Sequence, residues 1–101
     1  MILSDEQRDV CMLALEIYGV KNQVDMCLEE MSELTKALLK YRRYSDAPKE
    51  ELEKLWAGII SEIADVIITT EQMAIHYGEE SVKTMIKFKI DRLAGEIHKE
   101  V

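Results

Sequence analysis

A single proline and four glycines punctuate the whole 101-residue chain. With so few breakers, and with Leu, Ile, Ala, Glu, Lys and Met dominant, the composition favours helix over sheet. No stretch alternates apolar and polar residues as a half-buried strand does. Basic residues are in deficit: 13 Lys and Arg face 20 Asp and Glu, a net charge of −7. That balance argues against a nucleic acid polymer as partner, because phosphate binding needs clustered cations. There are two cysteines, Cys11 and Cys27, and both lie in apolar helical patterns. They read as buried free thiols in a reducing compartment rather than as a disulfide framework. No apolar run reaches transmembrane length, so no membrane partner is expected. The opening MILSDEQRDV turns charged at once, unlike a secretory signal, and points to a cytoplasmic protein. Nowhere does Glu-x-x-His occur, which argues against a di-iron carboxylate bundle.

Apolar residues make up 48% of the chain, too many for disorder, and the length suits one domain over residues 1–101. Hydrophobic spacing predicts four helices, over about residues 5–18, 22–43, 48–77 and 80–99. Ser4 and Gln7 form a capping box for the first, and Gly19 is its natural stop. Asn22 is a candidate N-cap for the second. Pro48 suits the first turn of the third, Gly58 is a point where that helix can bend, and Gly78 ends it. In the third helix Ile59, Ile63, Val66, Thr70 and Met73 form one apolar stripe. Ile60, Ala64, Ile67, Ile68 and Ile75 form another, almost opposite. A helix apolar on most sides must be buried on most sides. Three other short helices can hardly surround it, so the expected fold is an all-α four-helix bundle that oligomerises through its third helix.

Against this apolar background the placement of acids is unusual. LEEMSEL, starting at Leu28, carries Glu29, Glu30 and Glu33, and SEIADVII, starting at Ser61, carries Glu62 and Asp65. At about 100° per residue, Glu30 and Glu33 border the core stripe of Val24, Cys27, Met31, Leu34 and Leu38, while Glu29 points away from it. Glu62 and Asp65, three apart, share one face beside Ile59, Ile63 and Val66. Antiparallel packing of the second and third helices lets the two acidic pairs face each other. Converging carboxylates repel, and more strongly away from water, so either some take up protons or a cation joins them. With oxygen donors only, the fitting cation is Mg²⁺, with Mn²⁺ second, rather than zinc. The plainer reading is a solvated acidic face on two surface helices.

The spacing E-E-x-x-E at residues 29–33, then E-x-x-D at residues 62–65, resembles the MazG-like all-α nucleoside triphosphate pyrophosphohydrolases. The contexts YGVKNQVDMCLEEMSELTKAL and SEIADVIITTEQ resemble that family's second and third helices, and the likeness covers roughly residues 15–98. The resemblance implies a MazG-type fold and Mg²⁺-dependent hydrolysis of a (d)NTP between the α and β phosphates, giving (d)NMP and pyrophosphate. It implies Glu30, Glu33, Glu62 and Asp65 as metal ligands and Glu29 as a secondary contributor; of the four, Glu30 or Glu33 is the choice for the group that also takes the water's proton. It implies a homodimer or homotetramer with sites near subunit contacts. Lys89 and Arg92, in KIDRL on the last helix, stand where the family places two phosphate-binding cations, although Lys87 departs from the Asn that some members carry near this Lys. Gln23 stands where many relatives carry a Gln that can touch substrate. On their own, Lys89 and Arg92 read equally as solubilising charge, and Gln23 as a polar first-turn residue. Trp56 suits either a base-stacking role or core packing, and His76 and His98 read as isolated surface residues. The competing reading of the whole chain is a non-catalytic oligomerising helical module with an acidic, metal-binding face.

Overall fold

The computed structural model describes residues 2–101. It holds four helices: α1, Asp5–Tyr18; α2, Val20–Arg43; α3, Lys49–Tyr77; and α4, Glu79–Glu100. No strand occurs among the described residues. α1 starts as its sequence dictates. Ser4 Oγ accepts from the Gln7 N–H at 3.1 Å and Gln7 Oε1 accepts from the Ser4 N–H at 2.9 Å, which satisfies two donors that a helix start leaves orphaned. Gly19, at φ 87°, and Gly78, at φ 132°, both sit in the left-handed half of φ space that glycine tolerates. Each is a one-residue joint between consecutive helices. α2 therefore begins two residues earlier than Asn22. The Asn22 amide instead donates to the Tyr18 carbonyl at 2.8 Å, closing the end of α1 rather than opening α2. Residues 44–48 are the only longer loop among the described residues, and α3 runs through Gly58 unbroken.

The main packing is between α2 and α3, which lie antiparallel across the short loop, with α1 against both. Tyr41 and Trp56 close the loop end, edge to face with ring centroids 5.7 Å apart. The Trp56 ring is otherwise exposed. Cys11 and Cys27 are both free, and they are the only buried apolar side chains among the described residues. α4 departs from this body. Among the described residues its backbone approaches only α3. One side-chain tie reaches it from α1, the two-pronged ion pair of Arg8 with Glu79, in which Arg8 Nε donates to Glu79 Oε1 at 2.8 Å. No helix among the described residues is long and apolar enough to cross a membrane.

Candidate metal centre

The α2–α3 contact is polar along its middle. Gln23, Cys27 and Glu30 follow one another at i, i+4 and i+7 on α2, so they share a face. Glu62, Asp65, Thr69 and Gln72 share a face of α3 for the same reason. The antiparallel register pairs residues whose numbers sum to 95. The buried amide of Gln23 donates from Nε2 to Oε1 of Gln72 at 2.6 Å, and two turns along Glu30 meets Asp65. Between these levels lie Cys27 and Thr69, both buried. The Thr69 hydroxyl donates to the Asp65 carbonyl at 3.0 Å, which uses up its proton inside its own helix.

Carboxylate oxygens of Glu30, Glu62 and Asp65 lie within 4.8 Å of one another, all three side chains half-buried. Burial first, then the charges of Asp65 and Glu62, pushes the Glu30 carboxyl above its ordinary pKa; a hydrogen bond shared with Asp65 and the charge of Glu29 act the same way. Oε2 of Glu62 is sealed from solvent and meets no hydrogen-bond donor among the described residues. An acceptor left bare in this way is costly unless something positive completes it. Three oxygens bound to one octahedral Mg²⁺ stand about 3 to 4 Å apart, given metal–oxygen distances of about 2.1 Å. A slight contraction of the observed cluster meets that spacing. The donor set, all oxygen, fits the same hard cation.

Glu33 stands apart from this trio. In the α2–α3 register it is level with Glu62, but its carboxylate is half-exposed and pairs with Lys36 at 3.6 Å. Glu29 is exposed on the outer side of α2, as the helical wheel predicts. Gln23 is buried, and its amide is engaged by Gln72. Lys89 and Arg92 are exposed on α4 and form no ion pair with any acid among the described residues. His76 and His98 are exposed as well. Sequence reasoning missed the buried Glu71 and Gln72. The available signal was an acid and an amide late in an otherwise apolar helix. Comparison with protein-family models, with curated proteins and with solved structures finds no match to this chain.

Proposed function

We propose that the chain is a Mg²⁺-dependent nucleoside triphosphate pyrophosphohydrolase with a MazG-type fold, acting in the cytoplasm as a homodimer or homotetramer. The observation that carries this reading is the trio of Glu30, Glu62 and Asp65, contributed by two antiparallel helices and including one buried, partnerless oxygen. An acidic face made for solubility has no reason to bury an acceptor without a donor. The sequence resemblance to MazG-like enzymes supplies the reaction: cleavage between the α and β phosphates, yielding (d)NMP and pyrophosphate.

Glu30, Glu62 and Asp65 would hold the cation, and Glu33 would join them by turning away from Lys36. Bound there, Mg²⁺ would neutralise part of the triphosphate charge and acidify a water. Glu30 or Glu33 would also take the proton of that water. The Gln23–Gln72 bond below and the Tyr41–Trp56 contact above fix the axial register of α2 on α3, and so fix the separation of the acids. Lys89 and Arg92 are assigned to the phosphates, as the resemblance implies. Glu29, one residue outside the trio, adds negative potential to it.

The test is direct. Purified protein, Mg²⁺ and a panel of nucleoside triphosphates, including oxidised ones, are assayed for released pyrophosphate. Turnover that disappears in Asp65→Asn supports the proposal. No pyrophosphate from any substrate leaves the helical module with an acidic face as the better account.

A further inference from the structure

We propose that the recess between α3 and the root of α4 binds a small organic cation, a primary ammonium carried on an apolar body, through the carboxylate of Glu71. The site does not rest on the proposed hydrolase activity, because it lies on another side of α3 from the acids of the metal centre. Around the helix Glu71 stands about 180° from Glu62 and about 120° from Asp65.

The first observation is a buried acid without a partner. Glu71 is only 7% exposed, yet it forms no hydrogen bond or ion pair with any described residue. Glutamate is almost never buried to this degree unless paired, and a buried charge left alone is costly. Arg8 is within electrostatic reach, but its donors are committed elsewhere. Its Nε and one Nη donate to Glu79, and the other Nη donates to the Met12 sulfur at 3.2 Å. Lys83, the other cation near Glu79, pairs with Glu80 at 3.5 Å. One guanidinium thus stands against two carboxylates, and Glu71 is the one it leaves over.

The second observation is the space beside that acid. Glu71 lines an apolar recess of about 400 Å³, within the range of about 300–1,000 Å³ typical of small-molecule sites. Leu3, Ile67 and Ala74 form part of its wall, and Val82 and Ile86 of α4 form the rest. The other polar side chain there is Thr70, whose hydroxyl donates its proton to the Val66 carbonyl at 2.7 Å. Among the described residues, both polar side chains of the recess therefore present acceptors only.

That chemistry selects the ligand. An anion is repelled, and a neutral acceptor finds no donor. An ammonium brings three donors and the compensating charge, and its apolar body covers the remaining wall. Thr70 is exposed and Ile86 is half-exposed at the mouth, so a free molecule can enter from solvent. Once bound, the cation spans α3 and α4 and braces the root of α4, beside the Arg8–Glu79 pair.

The native chain is titrated separately with n-hexylammonium chloride, 1-hexanol and sodium hexanoate, and followed by amide NMR shifts and thermal unfolding. Hexylammonium should move the amides of Glu71, Ala74, Val82 and Ile86 and raise the unfolding temperature. It should bind at least about 10-fold more tightly than hexanol, as a hydrogen bond to a charged group requires, and hexanoate should not bind. Glu71→Gln should abolish the preference for ammonium over alcohol, with helical circular dichroism retained. Ala74→Leu, which fills the recess and leaves the carboxylate in place, should weaken both ligands. The three-ligand comparison on the native chain decides the matter even where a variant does not fold. Pyrophosphate release enters none of these readouts, so the outcome is separate from that of the hydrolase assay. Absence of hexylammonium binding overturns the inference, as does equal binding of ammonium and alcohol. So does ammonium binding that survives Glu71→Gln, or that moves the amides of Glu30, Glu62 and Asp65 instead. A native chain that ignores hexylammonium, but whose mass by light scattering changes in Glu71→Gln, gives the carboxylate to an interface and overturns it too.

Discussion

α3 and α4 are both long helices with apolar stripes, yet they have opposite fates. α3 buries polar side chains: Thr69, Glu71 and Gln72 are among the best-covered residues of the chain. α4 exposes nearly every apolar one, Phe88, Ile90, Leu93 and Ile97 among them. Hydrophobicity alone does not produce this pattern, since a free-standing helix with such a stripe would be expected to fold back. The difference is one of partners. α3 finds a polar partner in α2, amide bonded to amide and acid set against acid. α4 meets no such partner among the described residues. One helix is specified by what it does to its neighbour, the other by what it lacks.

The sharpest way to break this contrast is at the acids. Glu62→Gln and Asp65→Asn should each lower pyrophosphate release by more than about 100-fold, the scale on which metal-site substitutions act, while circular dichroism and thermal unfolding show an intact fold. Unchanged turnover in either would remove the metal centre from α3. The next effect is on α4. In protein dilute enough to dissociate, Leu93→Ala should alter stability by under about 0.5 kcal/mol, as exposed substitutions do. At concentrations that favour assembly the same substitution should cost about 2–5 kcal/mol, as in a core. Urea unfolding at two concentrations measures the difference, and equal costs at both would mean that nothing covers this face.

The polar seam has its own test. Gln23→Leu leaves the Gln72 amide without its partner and should cost about 1–3 kcal/mol. Adding Gln72→Leu should recover most of the loss, because two apolar groups of similar shape suit each other. Denaturation of the single and double variants gives the coupling, and additive losses would show that the amides do not act as a pair. The smallest effect is on pH. Folding raises the Glu30 pKa, so the folded state binds more protons than the unfolded state once pH exceeds the ordinary glutamate value. Stability of the metal-free protein should therefore fall as pH rises from that value through the raised one. Glu30→Gln should flatten the profile, and Mg²⁺ should reverse its slope. A profile identical in Glu30→Gln would assign the effect to other groups. The opposite case operates at Arg8–Glu79, which lowers the Glu79 pKa. Its contribution is present above the ordinary glutamate value and is lost as pH falls through the lowered one.

Much of the architecture was legible in the sequence because its causes are local. Ser4 and Gln7 cap α1 through contacts three residues apart, and Gly19 and Gly78 stop helices through their own backbone freedom. The free, buried state of Cys11 and Cys27 follows from helical spacing. The same spacing pairs Glu62 with Asp65, sets Glu30 toward α3 and sends Glu29 outward. Asn22 misled because a good N-cap residue also caps the carbonyl four residues back, and the Gly19 joint started α2 before Asn22 was reached.

Separation along the chain marks what the sequence could not decide. That Glu30 reaches Asp65 and Glu62 while Glu33 turns to Lys36 depends on side-chain rotamers set by the packed register of α2 on α3. That Gln23 bonds Gln72, 49 residues away, depends on the same register. The apolar stripes of α3 predict an oligomeric face there, and Ile60, Ile63 and Ile68 do stay exposed, while α4 is covered least of all. Helical periodicity shows which residues share a face, and so the sequence by itself determined four amphipathic helices and an acidic pair on each of two of them. Which face meets which, and which meets nothing within the chain, is a property of three-dimensional packing. Only the tertiary structure decided it, because contact energies between helices depend on distances that local spacing does not contain.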